Sequence, residues 1–324
     1  MHCRRATVLG ASGFIGRYVV KRLASRGTVI AAVSRHASAA GYLRPMGDVG
    51  QIATIDAGLD DEPVLAAALV GAEAVVSSVG ILFERGRQRF DAVHHRGAAR
   101  LASLAKAAGV RRFVHISAIG ADPAAASLYA RSKGAGEAAV RDAFPDATIL
   151  RPSVVFGPED DFFNRFAAMA RFLPALPLIG GGYTRFQPVY VGDVADAVMA
   201  ALDRHDTVGQ TYELGGPKVY SFRELMALVL TEVHRRRLLV TLPFGVASLE
   251  AAFLEWLPSP PLTRDQVRLL QRDNIASSDL PGLVELGVVP TAVELILPTY
   301  LDRFRRRGRW QATPLSQKKS PLPR

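Results

Sequence analysis

Along the first half of the chain, short apolar runs alternate with stretches of helical periodicity. The runs read as strands over Ala6–Leu9, Val29–Val33, Gln51–Ile55, Ala74–Ser77, Phe113–Ser117 and Thr148–Leu150. Their residues are continuously apolar rather than alternating, which fits a sheet buried on both faces. Helices are predicted between them, over Phe14–Ser25 and most clearly over Asp91–Ala108. There Val93, Gly97, Leu101, Leu104 and Ala108 recur at three- and four-residue steps. Strand–helix alternation predicts an α/β fold, a doubly wound parallel sheet with right-handed crossovers.

Beyond Pro152 the alternation loosens. Asp160–Leu173 reads as an aromatic helix, with Phe162, Phe166 and Met169 on one face and Phe163 and Ala170 on the next, packed into a core. Leu178–Tyr183, with three glycines, reads as a loop. A helix is predicted over Asp193–Leu202, capped by Asp193. Ser221-Phe222-Arg223-Glu224 is a capping box opening another helix, and Pro258–Pro261 is a break.

The formal net charge of +10 is unevenly spread. Residues 303–324 hold eight basic residues and no acidic one, so the rest is nearly neutral: +7 over residues 1–150 and −5 over residues 151–302. A basic tail on a neutral body fits an anionic surface; no nucleic acid is expected as partner. The lone Cys3 cannot form an internal disulfide. No apolar segment behind Arg4-Arg5 resembles a signal peptide. The most apolar window, Leu238–Leu257, is interrupted by Pro243, Gly245, Glu250 and Glu255 and does not read as a membrane span. Arginine outnumbers lysine 34 to 6, as in a GC-rich bacterial genome. The seven histidines show no metal-ligand spacing, and no metal is expected.

The strongest local signal is Gly10-Ala11-Ser12-Gly13-Phe14-Ile15-Gly16, between the first strand and its helix. Gly10 permits the turn, Gly13 lets backbone amides reach a pyrophosphate, and Gly16 allows close helix–sheet packing, with the anion on the helix N-terminus. At the end of the second strand, where an acidic residue would bind the ribose of NAD, stand Ser34 and Arg35. Arg35 suits a 2′-phosphate, with Ser34 as a further donor and Arg17 as a second cation. The expected cofactor is therefore NADP(H), with NAD(H) less favoured. Asp56, ending the third strand, could accept from the adenine amino group. Ser117 then precedes Tyr129 and Lys133, which lie four apart on one helix face. A lysine beside the phenol is expected to lower its pKa, making Tyr129 a general acid or base while Ser117 polarises the same oxygen.

The glycine motif, Ser117, Tyr129 and Lys133 resemble the short-chain dehydrogenase/reductase superfamily. Leu150-Arg151-Pro152, Phe156-Gly157-Pro158 and Val189-Tyr190-Val191-Gly192-Asp193 resemble its extended branch, the NAD-dependent epimerases and dehydratases. Val140–Pro145, Phe156–Asp160, Gln187–Val191 and Pro261–Val267 are similar to the alpha-subcomplex subunit nine family of respiratory complex I, over roughly residues 5–300. The resemblance implies a Rossmann domain over residues 1–158, with elements returning around 186–215, an interleaved smaller substrate-side domain over 159–302, and a tail from 303. It implies tightly held NADPH in a mainly structural role and complex I subunits as partners. The candidate cofactor contacts are completed by Ser78, Val79 and Gly80 behind the fourth strand, and by Pro152 and Val154 behind the sixth. Extended reductases often place Asn where this chain has His94, which counts against full turnover; a bland alternative puts His94 and His95 on a helix surface.

Three readings follow: a nucleotide-holding accessory or assembly subunit; a free-standing NADPH-dependent oxidoreductase or nucleotide-sugar epimerase or dehydratase using Ser117, Tyr129 and Lys133; and a redox-sensing regulator. His234-Arg235-Arg236-Arg237 precedes Leu238–Phe244 and a stretch with Val246, Leu249, Phe253, Leu254, Trp256 and Leu257. Basic residues beside such a face suit an anionic membrane surface. The alternative is a core helix with Ala251-Ala252 packed closely. The expected location is cytoplasmic, peripheral at the inner face of a bacterial membrane.

Overall fold

The computed structural model describes residues 3–257 and 260–305. The tail beyond Arg305, and Pro258 and Ser259 of the expected break, lie outside the described residues. The first half folds as β1 (Arg5–Leu9), α1 (Phe14–Ala24), β2 (Val29–Ser34), β3 (Ile52–Asp56), α2 (Glu62–Leu69), β4 (Ala74–Ser77), α3 (Gly97–Ala107), β5 (Arg112–Ile116), α4 (Leu128–Ala143) and β6 (Thr148–Pro152). The expected strands all form, with ends shifted by a residue or two. After them come β7 (Val155–Phe156), α5 (Phe162–Phe172), β8 (Ala175–Ile179), β9 (Arg185–Phe186), β10 (Val189–Tyr190), α6 (Val191–Asp203), β11 (Thr211–Leu214), β12 (Tyr220–Ser221), α7 (Phe222–Glu232), β13 (Leu238–Leu242), α8 (Phe244–Leu254), α9 (Arg264–Leu269) and α10 (Val293–Leu301).

Seven strands form one sheet in the order β11-β6-β5-β4-β1-β2-β3, each pair parallel. The chain winds outward one way from β1 to β3 and the other way from β4, so the carboxyl ends of β1 and β4 flank a crevice. Both faces are covered, as the continuous apolar strands require. Val8, Ile30, Val76, Val114 and Leu150 pack against α1 and α6. Val75 and Phe113 pack against Leu69, Leu101, Val140 and Phe144 of the opposite helical layer.

A second apolar core gathers Phe156, Phe163, Leu176, Phe186, Phe222, Val229 and Leu297. The aromatic α5 helix feeds it: Phe162 and Phe166 meet at 5.4 Å, and Phe166 meets Phe222 at 5.4 Å. Two local expectations change here. Leu178 and Ile179 are not loop but the end of β8, which pairs with β13; the glycine run follows as a short turn with φ of 62°, 79° and 76°. Asp193 does not cap its helix, which begins at Val191. Its carboxylate instead accepts the Thr291 N–H at 2.6 Å and hydroxyl at 2.8 Å, tying α6 to the segment before α10.

The helix expected over Asp91–Ala108 starts as a π-turn, Asp91–Arg96, before α3. The cause lies across the interface. A Cβ on Gly136 of α4 would fall 2.0 Å from the His94 carbonyl oxygen, so α4 presses backbone to backbone on that turn. Wide turns of this kind inside helices are frequent at functional sites.

Candidate functional site

The crevice opens at the glycine loop. Gly10 takes φ +74°, and a side chain there would meet Ser78 O at 2.9 Å. A Cβ on Gly16 would lie 2.1 Å from Gly10 O, so α1 starts directly against the turn. Gly13 precedes α1 in extended geometry, with no side-chain cap and no acidic residue in the first turn. The amides of Phe14, Ile15 and Gly16 therefore have no helical carbonyl to bind, and they face the position a pyrophosphate takes in such loops. The residues present fit a dinucleotide. Ser78 holds the loop from β4, its hydroxyl donating to Leu9 O at 2.7 Å. Val79 and Gly80 continue toward α4.

Arg17 is bound to the loop rather than free. Its guanidinium donates to Gly13 O and Ser12 O at 3.2 Å each, stands 3.6 Å from Glu159 and lies over the Tyr42 ring. The Tyr42 hydroxyl also donates to Ser12 O, at 2.7 Å. Arg35 is exposed at the end of β2, next to buried Ser34, whose hydroxyl has no hydrogen-bond partner. Asp56 is exposed at the end of β3, paired in register with Ser34.

At the other end of the crevice, α4 presents Tyr129 and Lys133. The Lys133 ammonium is buried and donates to Ile116 O at 3.2 Å; burial pushes its pKa down to about 8 against the opposing pull of Glu137. It lies 3.5 Å from the Cβ position of Gly80. Ser117 is buried just past β5, on the strand face shared with Phe113 and His115, and its hydroxyl has no partner. The expectation of an acidified phenol is overturned. Burial pushes Tyr129 up to about 12, because its ring is set edge-on against His94 at 5.4 Å and Phe90 at 5.9 Å while the lysine is engaged on β5.

His94 is not a surface residue. It is 2% exposed, and its Nε2 accepts the Ile81 N–H at 3.0 Å, which leaves the proton on Nδ1. Nδ1–H donates to Ser132 Oγ at 2.8 Å, and that hydroxyl donates to Tyr129 O at 2.8 Å. This relay ties the loop after β4 to the first turns of α4. Burial, then the charges of Lys133 and His115, pushes the His94 pKa down to about 2. His95 does sit on the surface, 2.9 Å from Asp91.

Other positioning residues were not anticipated. Asn274 accepts from the Ser153 hydroxyl at 2.6 Å and the Val154 N–H at 2.9 Å, fixing the segment from Pro152 to Val154. Arg151 of the Leu150-Arg151-Pro152 motif binds buried Glu137 through two bonds, 2.9 and 2.7 Å, and reaches Glu213 at 3.4 Å. Asp265 accepts three hydrogen bonds from the start of α4. It stands inside a Thr263–Gln266 capping box, a local pattern that could have drawn attention to this turn, whereas its reach to another helix has no local signal.

The α8 helix carries an exposed Glu250 among mostly apolar residues and turns its small residues inward. Ala247 and Ala251 are fully buried beside Ile179 and Val267. Val246, Leu249, Phe253 and Trp256 face out, the last two 72% and 91% exposed. Leu238 and Val240 of β13 and Phe172 at the end of α5 are exposed as well. Among the described residues, no helix is long and apolar enough to cross a membrane.

The sequence profile of the NAD dependent epimerase/dehydratase family matches residues 6–215. The mitochondrial NADH dehydrogenase (ubiquinone) 1 alpha subcomplex subunit 9 of Arabidopsis thaliana is 36% identical over 315 residues, spanning 94% of this chain and 78% of that protein. Its counterpart in Mus musculus is 36% identical over 317 residues, 97% of this chain and 84% of that one. A dTDP-glucose 4,6-dehydratase from Streptomyces venezuelae, solved with NAD and TYD bound, superposes with a TM-score of 0.71 at 20% identity, over 94% of this chain and 98% of that one. The fold is thus the Rossmann type of that NAD-bound enzyme.

Proposed function

Because this chain belongs to the NAD dependent epimerase/dehydratase family and, within it, to the complex I alpha subcomplex subunit 9 proteins, we propose that it is an accessory subunit of a bacterial NADH:quinone oxidoreductase that holds NADP(H) in a mainly structural role. The observation that carries this reading is the near full-length likeness to two proteins named as such subunits. The state of α4 supports it: a phenol kept protonated far above neutral pH and a lysine bonded to β5 suit holding a nucleotide better than proton transfer.

In this reading the α1 N-terminus with Gly10, Ser12, Gly13, Phe14, Ile15 and Gly16 holds the pyrophosphate. Ser34 and Arg35 take the 2′-phosphate, which favours NADP(H) over NAD(H), and Asp56 faces the adenine. Ser78, Val79, Gly80, Pro152 and Val154 line the nicotinamide end, with Tyr129 and Lys133 on its ribose. The bound cofactor would supply a hydride, but the chain's own part is to bind and orient it. The α8 face, with exposed Arg236 two residues before β13 in the chain, docks at the anionic inner surface of the membrane.

One observation favours a second reading, a free-standing NADPH-dependent oxidoreductase or nucleotide-sugar epimerase. Ser117 keeps a buried hydroxyl without a partner at the place where such enzymes polarise a substrate oxygen. Purification from membranes in mild detergent separates the two. An accessory subunit co-purifies with NADH:quinone oxidoreductase, releases NADPH on denaturation, and keeps both properties in Tyr129→Phe. Loss of cellular function in Tyr129→Phe with nucleotide still bound would establish the enzyme instead.

A further inference from the structure

Two adjacent side chains of α9 grip two different parts of the molecule. The Asp265 carboxylate accepts the Ser127 hydroxyl at 2.7 Å, the Leu128 N–H at 2.8 Å and the Tyr129 N–H at 3.0 Å. Ser127 is the N-cap of α4, so Asp265 satisfies amides that no helical carbonyl can reach, and its charge suits that end of the helix. Arg264 closes on Glu255, the residue that ends α8. Its N–H donates to that carboxylate at 2.7 Å and its guanidinium approaches at 3.0 and 2.9 Å. Between the two grips, Val267 packs with Ala247 and Ala251 of α8. The α9 segment is thus a bracket with one end on the turn that carries Tyr129 and the other on the helix with the exposed apolar face.

We propose that Asp265 is a positioning residue for the nucleotide site and that, with Arg264, it links that site to the α8 docking face. The inference rests on the reading above, in which Tyr129 and Lys133 contact NADP(H). A nucleotide bound to the first turns of α4 selects the placement of those turns that Asp265 also selects. Each therefore stabilises the other, and the coupling is reciprocal. Ordering α4 tightens α9, and through Arg264 and Glu255 it slows local opening of α8. Conversely, whatever seats the outer face of α8 raises nucleotide affinity.

Hydrogen–deuterium exchange of the full chain, with and without saturating NADPH, tests this, with affinity measured in parallel by NADPH fluorescence. In the wild type, NADPH slows exchange severalfold across α8 and α9. Asp265→Asn binds NADPH about tenfold more weakly, having lost a charge-assisted acceptor, and at saturation its α8 no longer slows. Glu255→Ala, which removes the acceptor of the Arg264 N–H and of its guanidinium together, keeps its affinity and the protection of α9, but loses the protection of α8. Unchanged α8 exchange in wild-type protein carrying NADPH overturns the linkage and leaves the cofactor reading standing. Failure to bind NADPH overturns both. If Asp265→Asn does not fold, Glu255→Ala decides: α8 slowing as in the wild type refutes the bracket.

Discussion

Replacing Gly136 by alanine sets two effects of opposite sign against each other. On helix propensity alone the change should stabilise α4 by about 1 kcal/mol. The structure reverses that sign. The new Cβ would lie 2.0 Å from the His94 carbonyl oxygen and 3.0 Å from its carbon, both backbone atoms. The π-turn and α4 must therefore separate by roughly an ångström, an overpacking cost of about 1–3 kcal/mol. Moving His94 also pulls Nε2 from the Ile81 N–H, and an orphaned buried amide costs about 1–3 kcal/mol more. The expected net loss is about 1–5 kcal/mol, read as a lower urea midpoint at unchanged slope. NADPH binding should weaken as well, since the Cβ position of Gly80 lies within 4 Å of both His94 Nε2 and Lys133 Nζ. Gly245→Ala in α8 is the control: nothing lies within 4 Å of its Cβ position, so propensity alone acts and stability should rise. Equal or greater stability in Gly136→Ala would refute the backbone-on-backbone contact as the reason for glycine there.

Arg35→Ala should narrow the preference for NADP(H) over NAD(H) by about tenfold to a hundredfold in competition titrations, the worth of one charged phosphate contact; equal wild-type affinities for the two would refute the role of Arg35. Urea midpoints measured against pH should fall as pH drops below about 6.5. Burial holds His94 at about 2 and His115 at about 3, so the unfolded chain binds more protons in that range and the native state loses stability. His115→Leu should flatten the fall by up to about 1.4 kcal/mol per pH unit, one proton's share. Phe253→Ser with Trp256→Ser should leave the melting temperature unchanged, both side chains being exposed, yet cut binding to phosphatidylglycerol vesicles by more than about tenfold; undiminished binding would place the docking face elsewhere.

The Rossmann half was legible in the sequence because its determinants are local. Continuous apolar strands, a glycine loop between strand and helix, and residues four apart on one helix each act within a few positions of themselves. The capping box at Ser221 was readable for the same reason. What the tertiary structure decided involves groups distant in sequence or balances that no local pattern contains. Asp265 reaches α4 across 136 to 138 positions, and Asn274 reaches Ser153 across 121. Asp193 looked like a cap because caps are local, yet its carboxylate serves Thr291 across 98 positions. The Tyr129–Lys133 spacing placed both on one face but could not say that burial raises the phenol while the lysine is engaged on β5, since desolvation depends on what covers the ring. In α8, where apolar residues are spread round the helix and Glu250 is the one charge, periodicity marks no clear inward side. Packing against Ile179 and Val267 turned Ala247 and Ala251 inward and left Phe253 and Trp256 outside.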